Sequence, residues 1–200
     1  THMLNEGAGI ETDLTVVCLE KNYFRIISSA AVRTHDKAHI LKHLSKDLEF
    51  KDVTDELICL GIFGPKSRDL LSTITNEDLS NENFKFSRSK NIKLNSINVW
   101  AQRLSYVGEL GYELYIQKEN AREIYDLIVN NGKDFGLAHC GAHTMDTMRM
   151  ESGFLHWGHD ISPEENQFEA GLSFTISNKK DVNFIGKEAL EKIKKQKLSK

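Results

Sequence analysis

The order of apolar and polar residues along the chain predicts short strands that alternate with amphipathic helices. Two β-favouring runs, residues 10–19 and 23–31, flank a short polar turn and predict a hairpin. Residues 56–63 form a nearly continuous apolar run, which predicts a buried strand. Pro65 then opens a helix, since proline suits the first helical turn.

Apolar residues at intervals of three and four predict the other helices. Thr34 is expected to cap a helix that continues to about Leu48. Asn120 is expected to cap a second helix, which ends at Gly132. The expected core-facing residues are Ala38, Leu41, Leu44 and Leu48 in the first of these helices, and Ala121, Ile124, Tyr125 and Ile128 in the second. Further helices are predicted at residues 142–152 and 187–195.

The region between residues 76 and 98 is rich in asparagine and lysine, and Phe84 and Phe86 are the expected anchors of a short strand within it. A second hairpin is predicted from residues 98–105 and 112–117. Strands and helices in the order β-α-β-β-α-β indicate an α+β fold, with antiparallel sheets and with helices on one side.

The turn of the second hairpin carries the most distinctive chemistry of the chain. It places Tyr106 and Glu113 seven residues apart, and Gly108 and Gly111 are expected to supply the positive φ angles of a tight loop. Glu113 then begins a strand. A carboxylate in this position, next to an aromatic hydroxyl, is suited to a flat heterocycle that presents two adjacent N–H groups.

Size and composition narrow the classes of function. Two hundred residues allow one domain, or two small ones that share a core. A net charge of −3 lacks the excess of lysine and arginine that nucleic acids and anionic membranes require. No run approaches the ~20 apolar residues of a transmembrane helix, so we expect a soluble protein. The odd number of scattered cysteines, Cys18, Cys59 and Cys140, predicts reduced, buried thiols in the cytoplasm, or in the mitochondrial matrix of a eukaryote.

Histidine and glycine patterns indicate neither a metal site nor a nucleotide site. His35, His39 and His43 recur at four-residue spacing, which can bind zinc on a helix, but no further ligand pattern accompanies them. We expect these histidines to lie on a solvated face of the helix. No glycine-rich motif for a flavin, a nicotinamide or a nucleotide phosphate is present either.

Several segments follow one another in the order and spacing of a known family. They are a glycine turn and acidic strand at residues 3–16, a Gly-Pro corner at 60–66, the loop at 103–115, a helix and loop at 145–153 and 157–161, and short motifs at 168–172 and 184–190. Together they resemble the tetrahydrofolate-binding domain of the glycine-cleavage T-protein (aminomethyltransferase) family, in the forms usual in its dimethylglycine and sarcosine dehydrogenase branch. Met145 stands where aminomethyltransferases commonly carry an arginine, which weakens an assignment to the T-protein itself.

The resemblance implies a partial T-protein folate-binding domain with ferredoxin-like antiparallel sheets. It divides residues 1–200 into a remnant of the first subdomain (1–55), a ferredoxin-like subdomain (56–135) and connecting helices and strands (136–200). The chain is then expected to be a piece of a larger protein, because members of the family carry further segments before and after this part.

The resemblance also assigns roles to four residues. Asp13 matches the catalytic aspartate that lies beside N10 of the folate, and Glu113 matches the carboxylate that binds the pterin. Tyr106 and Trp157 are expected to line the folate site. Asp13 and Glu113 are expected to face one central cavity.

The implied activity is one-carbon transfer. An FAD domain, in cis or in trans, oxidises an N-methyl amine such as dimethylglycine or sarcosine, and this domain captures the methylene or formaldehyde unit on tetrahydrofolate as 5,10-methylenetetrahydrofolate. The alternatives are a free-standing aminomethyltransferase, a relative that moves an S-methyl group to folate, and a non-catalytic module that binds folate or a protein. No metal, nucleic acid or membrane partner is expected.

Overall fold

The structure is a computed structural model in which residues 1–177 and 182–196 are described. Close backbone contacts divide the chain into two compact units, which we call the terminal unit (Thr1–Phe50 with Leu155–Lys200) and the central unit (Lys51–Phe154). Residues 178–181 and 197–200 of the predicted segment 136–200 lie outside the description. The three consecutive subdomains implied by the resemblance stay a prediction.

The described residues form eight strands and five α-helices. The strands are β1 (His2–Leu4), β2 (Ile10–Asp13), β3 (Thr15–Glu20), β4 (Tyr23–Ile27), β5 (Leu57–Phe63), β6 (Ser89–Leu94), β7 (Ile97–Gln102) and β8 (Gly111–Gln117). The helices are α1 (Arg33–His43), α2 (Ser67–Ser72), α3 (Ala121–Gly132), α4 (Ala142–Glu151) and α5 (Lys187–Lys195).

The strands of the terminal unit form two separate antiparallel pairs, β1 with β2 and β3 with β4. The predicted hairpin is confirmed in β3 and β4, but the predicted strand 10–19 is interrupted at Leu14. Leu14 is buried and donates its N–H to the carbonyl of Thr1, so the pairing with β1 ends before the hairpin begins. The core of the unit comprises Leu4, Ala8, Ile10, Ile161 and Leu190.

Helix α1 differs from its prediction in its ends and in its buried side. It begins at Arg33 without a side-chain cap from Thr34, and the chain turns extended at Leu44. Leu41 and Leu48 of the expected apolar stripe are exposed, and Asp36 is the buried residue of the helix. The prediction of an apolar core face is therefore wrong, because polar contacts rather than leucines hold this helix in place.

The central unit contains a four-stranded antiparallel sheet in the order β5-β8-β7-β6. Alternate residues along the strands point to one face and pack against α2 and α3. The core on this face includes Ile62, Leu70, Leu71, Ile92, Val99, Ala101, Tyr112, Leu114, Ile124 and Ile128. The predicted α+β class and its antiparallel sheets are confirmed. The elements of this unit run β-α-β-β-β-α-α, so three strands lie between its first and second α-helices.

Strand β5 lies at the edge of this sheet and matches the strand predicted at residues 56–63. The prediction of full burial is wrong, since Ile58 and Cys59 are exposed and Ile62 is the buried residue of the strand. An edge strand is paired on one side only, and here the helices cover one of its faces. The helix after Pro65 is confirmed as α2, with Leu70 and Leu71 buried.

The polar region 76–98 contains β6 rather than a strand anchored by phenylalanines. Phe84 is buried outside any strand, and Phe86 is 65% exposed. The strand forms at Ser89–Leu94 because Ile92 and Leu94 alternate toward the core while the backbone pairs with β7.

The remaining helices follow their predictions closely. The helices expected from the Asn120 cap to Gly132, at 142–152 and at 187–195 are α3, α4 and α5. Asn120 precedes α3, although its side chain makes no capping hydrogen bond. Ile124 and Ile128 are buried as expected, whereas Tyr125 is 39% exposed.

The three cysteines are free thiols, as predicted, but all are exposed, so the prediction of burial is wrong. Within the described ranges, no helix is both long enough and apolar enough to cross a membrane.

Candidate functional site

One face of the central sheet carries polar and aromatic side chains. Residues that pair directly across antiparallel strands point to the same face. Glu113 of β8 pairs with Gly61 of β5 on one side and with Gln102 of β7 on the other. Its neighbours Tyr112 and Leu114 point into the core, so Glu113 points away from α2 and α3. We call the following residues the polar face: Cys59, Gly61, Trp100, Gln102, Glu113 and Tyr115.

Glu113 is half-buried on the polar face and accepts a hydrogen bond from the Tyr115 hydroxyl at 2.7 Å. Burial raises the pKa of the Glu113 carboxyl above its ordinary value, and the hydrogen bond from Tyr115 opposes part of that shift. The bond occupies one carboxylate oxygen, Oε2. Because this bond fixes the orientation of the carboxylate, it also fixes the position of Oε1, which is suited to accept N–H groups.

Tyr115 also joins the polar face to Trp100 and Cys59. The rings of Tyr115 and Trp100 lie 4.8 Å apart between centroids. Cys59 is exposed as a residue, but burial of its thiol, with the charge of Glu113, raises the pKa of the thiol to about 11. A hydrogen bond with Tyr115 opposes part of this rise in pKa. The thiol is therefore protonated near neutral pH and is not a nucleophile there.

Gln102 is the most deeply buried polar side chain of the polar face. It is 4% exposed, and its Oε1 has no hydrogen-bond partner among the described residues. Sequence reasoning missed this residue. A usable signal was present, since Gln102 comes directly after Ala101, which alternates toward the core with Val99, and both lie in β7 with it.

Tyr106 lies in the loop between β7 and β8 and is held against the end of α4. Its ring stacks on that of Phe154, with 6.3 Å between centroids and 22° between planes. The N–H of Phe154 donates to the Arg149 carbonyl at 2.9 Å, and the Phe154 carbonyl accepts from the Arg149 guanidinium at 3.0 Å. Arg149 is itself paired with Asp146 at 2.7 Å. The orientation of Tyr106 therefore depends on α4.

The two glycines of this loop are required for different reasons. Gly108 has a φ of +75°, as predicted, and a Cβ there would also overlap the Ser152 side chain. Gly111 does not have a positive φ, so that part of the prediction is wrong. A Cβ at Gly111 would overlap the ring of Phe63, and close packing is the reason for glycine in this position.

Asp13 ends β2 in the terminal unit, and its side chain is 43% exposed. Nε2 of His2, the residue paired with it in register, lies 3.9 Å from its carboxylate, and the amino group of Thr1 lies at 3.7 Å. Burial lowers the pKa of His2. The Asp13 carboxylate is thus accessible, on the rim of a strand pair whose Thr12 is buried.

Trp157 is bound to the same strand as Asp13. Its indole N–H donates to the carbonyl of Ile10 at 2.7 Å, and its ring lies 5.4 Å from that of His35. His35 bridges two carboxylates, with 3.0 Å from Nδ1 to Asp36 and 3.0 Å from Nε2 to Glu11. The bond to Asp36 is the main cause of a raised His35 pKa, to which Glu11 adds. This arrangement fastens α1 and Trp157 to β2.

The four predicted site residues fall into two pairs. Tyr106 and Glu113 belong to one loop and strand of the central unit, and Asp13 and Trp157 are connected through β2 in the terminal unit. Their roles, and the convergence of Asp13 and Glu113 on one cavity, stay predictions. In the part of the chain that the structure describes, no group of three or more His, Cys, Asp or Glu side chains is placed to hold a metal ion.

Comparison with known proteins identifies the family. The model of the GCVT N-terminal domain matches residues 1–180. The chain belongs to this family. Human mitochondrial dimethylglycine dehydrogenase is 39% identical over 197 residues, which cover 97% of this chain and 23% of that protein. An aminomethyltransferase of Caldanaerobacter subterraneus is 34% identical over 197 residues, covering 98% of this chain and 52% of that protein.

The solved structures agree with this assignment. The glycine cleavage system aminomethyltransferase T from Bartonella henselae superposes with a TM-score of 0.79 at 24% identity, covering 97% of this GCVT chain and 52% of that one. The likeness confirms the fold, and the family match confirms the resemblance drawn from the motifs. The chain spans about a quarter of the matched dehydrogenase and about half of the matched aminomethyltransferase.

Proposed function

We propose that this GCVT domain binds tetrahydrofolate and transfers a one-carbon unit to it. The observation that carries the proposal is the Glu113 carboxylate, half-buried on the polar face and held by Tyr115 at 2.7 Å. Buried carboxylates are costly unless they meet donors, so a ligand with N–H groups is the expected partner. Tetrahydrofolate supplies such groups on its pterin, together with the two nitrogens that accept the carbon.

The polar face offers a pterin both hydrogen-bond acceptors and aromatic surface. Glu113 accepts from two adjacent N–H groups, as carboxylates do in bidentate pairs. Trp100 and Tyr115 add aromatic surface on the same side of the sheet. Gly61, directly opposite Glu113, has no side chain, and the Phe63 ring occupies the space that a Cβ there would take.

We assign the acid-base step to Asp13. Its exposed carboxylate at the end of β2 is suited to accept or return the proton of the folate N10. Tyr106 and Trp157 are proposed to line the folate site, each held by contacts within its own unit. Holding the carbon between two nitrogens replaces an encounter in solution, which is the main source of rate in such a reaction.

We further propose that the carbon comes from an N-methyl amine such as dimethylglycine or sarcosine, oxidised by an FAD domain in cis or in trans. The 39% identity to a dimethylglycine dehydrogenase supports this donor. Met145, in the place of an arginine common in aminomethyltransferases, favours it over the second candidate, a free-standing aminomethyltransferase, which the 34% identity to such an enzyme supports. We also propose a cytoplasmic location, or a matrix one in a eukaryote, which the three free thiols support.

Anaerobic calorimetry with tetrahydrofolate tests the proposal on the chain itself. We expect saturable binding at one site, weakened more by Glu113→Gln than by Asp13→Asn, because only the first removes a charged acceptor from the pterin. A folded wild-type chain that binds no tetrahydrofolate would reject the proposal and leave a module that binds another partner.

A further inference from the structure

Gln102 has a burial and a position that the fold alone does not explain. Its side chain is 4% exposed, and the amide oxygen lacks a donor among the described residues. The backbone of this residue is already held on both sides, since it pairs with Ser89 of β6 and with Glu113 of β8. A methionine or leucine would fill the same position without a buried, unpaired oxygen.

The cross-strand register places this oxygen beside the proposed pterin acceptor. Side chains directly opposite each other in an antiparallel pair have Cβ atoms about 4.5–5.5 Å apart. The Gln102 and Glu113 side chains therefore start from adjacent positions on the polar face. Glutamine has three rotatable side-chain bonds, so its oxygen turns toward a bound heterocycle without movement of the strand.

The two side chains together select a particular pattern of donors. Glu113 offers carboxylate oxygens, one already bonded to Tyr115, and Gln102 adds a neutral amide oxygen. A ligand that satisfies both needs several N–H groups on adjacent atoms. An amino group next to a ring N–H has this pattern, because its two hydrogens point toward different acceptors.

We propose that Gln102 determines specificity in the folate site by accepting a hydrogen bond from the 2-amino group of the pterin, beside Glu113, which accepts from the same amino group and from N3–H. This inference rests on the proposed function and extends it to a residue outside the motif that revealed Glu113. Gln102 thereby distinguishes 2-amino heterocycles from analogues that lack this group.

The test compares Gln102→Met with the wild-type chain, using tetrahydrofolate and an analogue that has a methyl group in place of the 2-amino group. We expect Gln102→Met to weaken tetrahydrofolate binding about tenfold, the effect of one lost hydrogen bond and an unpaired ligand donor. Affinity for the analogue should change less than about twofold, since the analogue has no amino hydrogen to lose. The thermal midpoint of the variant should equal or exceed that of the wild type.

Gln117→Met is the matched control, because Gln117 ends the same strand as Glu113 but is exposed. It should bind both ligands like the wild type. Gln102→Leu is measured in parallel, so that a folding defect caused by methionine alone is recognised. The inference is wrong if both Gln102 variants bind tetrahydrofolate normally, or if they weaken both ligands equally.

These outcomes separate the inference from the proposed function. A wild-type chain that does not bind tetrahydrofolate rejects the function, and the inference with it. Wild-type binding that Glu113→Gln weakens and the Gln102 variants leave intact rejects the inference alone. A lower thermal midpoint with unchanged affinity would assign Gln102 a purely structural role.

Discussion

Replacement of Glu113 by glutamine keeps the shape of the side chain and removes its charge. The Tyr115 hydroxyl can still donate to the remaining amide oxygen, so the local geometry is preserved. A hydrogen bond to a charged group contributes about 1.5–3 kcal/mol. We therefore expect Glu113→Gln to weaken tetrahydrofolate binding roughly tenfold to a hundredfold.

The same substitution should not lower stability at neutral pH, although it weakens ligand binding. Burial raises the folded-state pKa of Glu113 above its ordinary value of 4.5, so the folded protein holds this proton more tightly than the unfolded chain does. The resulting stabilisation is present below pH 4.5 and is lost as pH rises through the folded pKa. Glutamine does not titrate, so ligand-free Glu113→Gln should be at least as stable as the wild type at neutral pH.

Calorimetry and urea unfolding over a pH series measure both effects on the same variant. Glu109→Gln is the matched control, because Glu109 lies exposed in the adjoining loop and should alter neither affinity nor stability. The reasoning is refuted if Glu113→Gln binds like the wild type, or if it loses stability at neutral pH, as a purely structural charge would.

Three further predictions concern Asp13, Gly108 and His35. In a parent enzyme that joins this chain to a flavin domain, Asp13→Ala should spare flavin reduction and release formaldehyde, because acid-base assistance contributes about a hundredfold or more; joint loss of flavin reduction, measured beside a formaldehyde trap, would contradict the role. Gly108→Ala should lower the free energy of unfolding by about 2–4 kcal/mol, from the left-handed φ and the overlap with Ser152. In Gly136→Ala, φ is +73° but no atom lies within 4 Å of the new Cβ, so urea unfolding of this variant measures the cost of the left-handed φ alone. If both variants lose the same free energy of unfolding, the overlap with Ser152 contributes nothing. Asp36 and Glu11 raise the pKa of His35, so protonated His35 stabilises the fold below pH 6.5, and this stabilisation is lost as pH rises through the folded-state pKa. His35→Gln should therefore flatten the dependence of the free energy of unfolding on pH above pH 6.5. An unchanged dependence would exclude this contribution.

Regular hydrophobic spacing was sufficient to predict most elements of the central unit. In α3, residues Ile124 and Ile128 recur on one side and are buried, and in β5 and β8 the apolar runs end at their predicted positions. Such patterns are local, because a period of 3.6 or 2 places residues on one face whatever the partner is. Element type therefore follows from neighbours along the chain.

Predictions failed where a partner distant in sequence decided the outcome. The strand predicted at residues 10–19 is interrupted at Leu14, because β2 pairs with β1, before it in the chain, while β3 pairs with β4, after it. Helix α1 turns Asp36, not its leucines, inward, because His35 bonds to Asp36 and to Glu11 of β2. Neither the break in the strand nor the orientation of the helix can be predicted from the local pattern of apolar residues.

The sequence by itself determined the family and the class of fold, because those depend on residue types at fixed spacing along the chain. The same motifs predicted Glu113 as a site residue, and that role stays a prediction. The sequence also determined the need for glycine at position 108, where the backbone must turn with a positive φ. Only the tertiary structure decided that Gln102 lies opposite Glu113, that Tyr115 bonds to it and that Gly111 is required by Phe63. Cross-strand register and burial join residues that are remote in the chain, and no local periodicity specifies which of them meet.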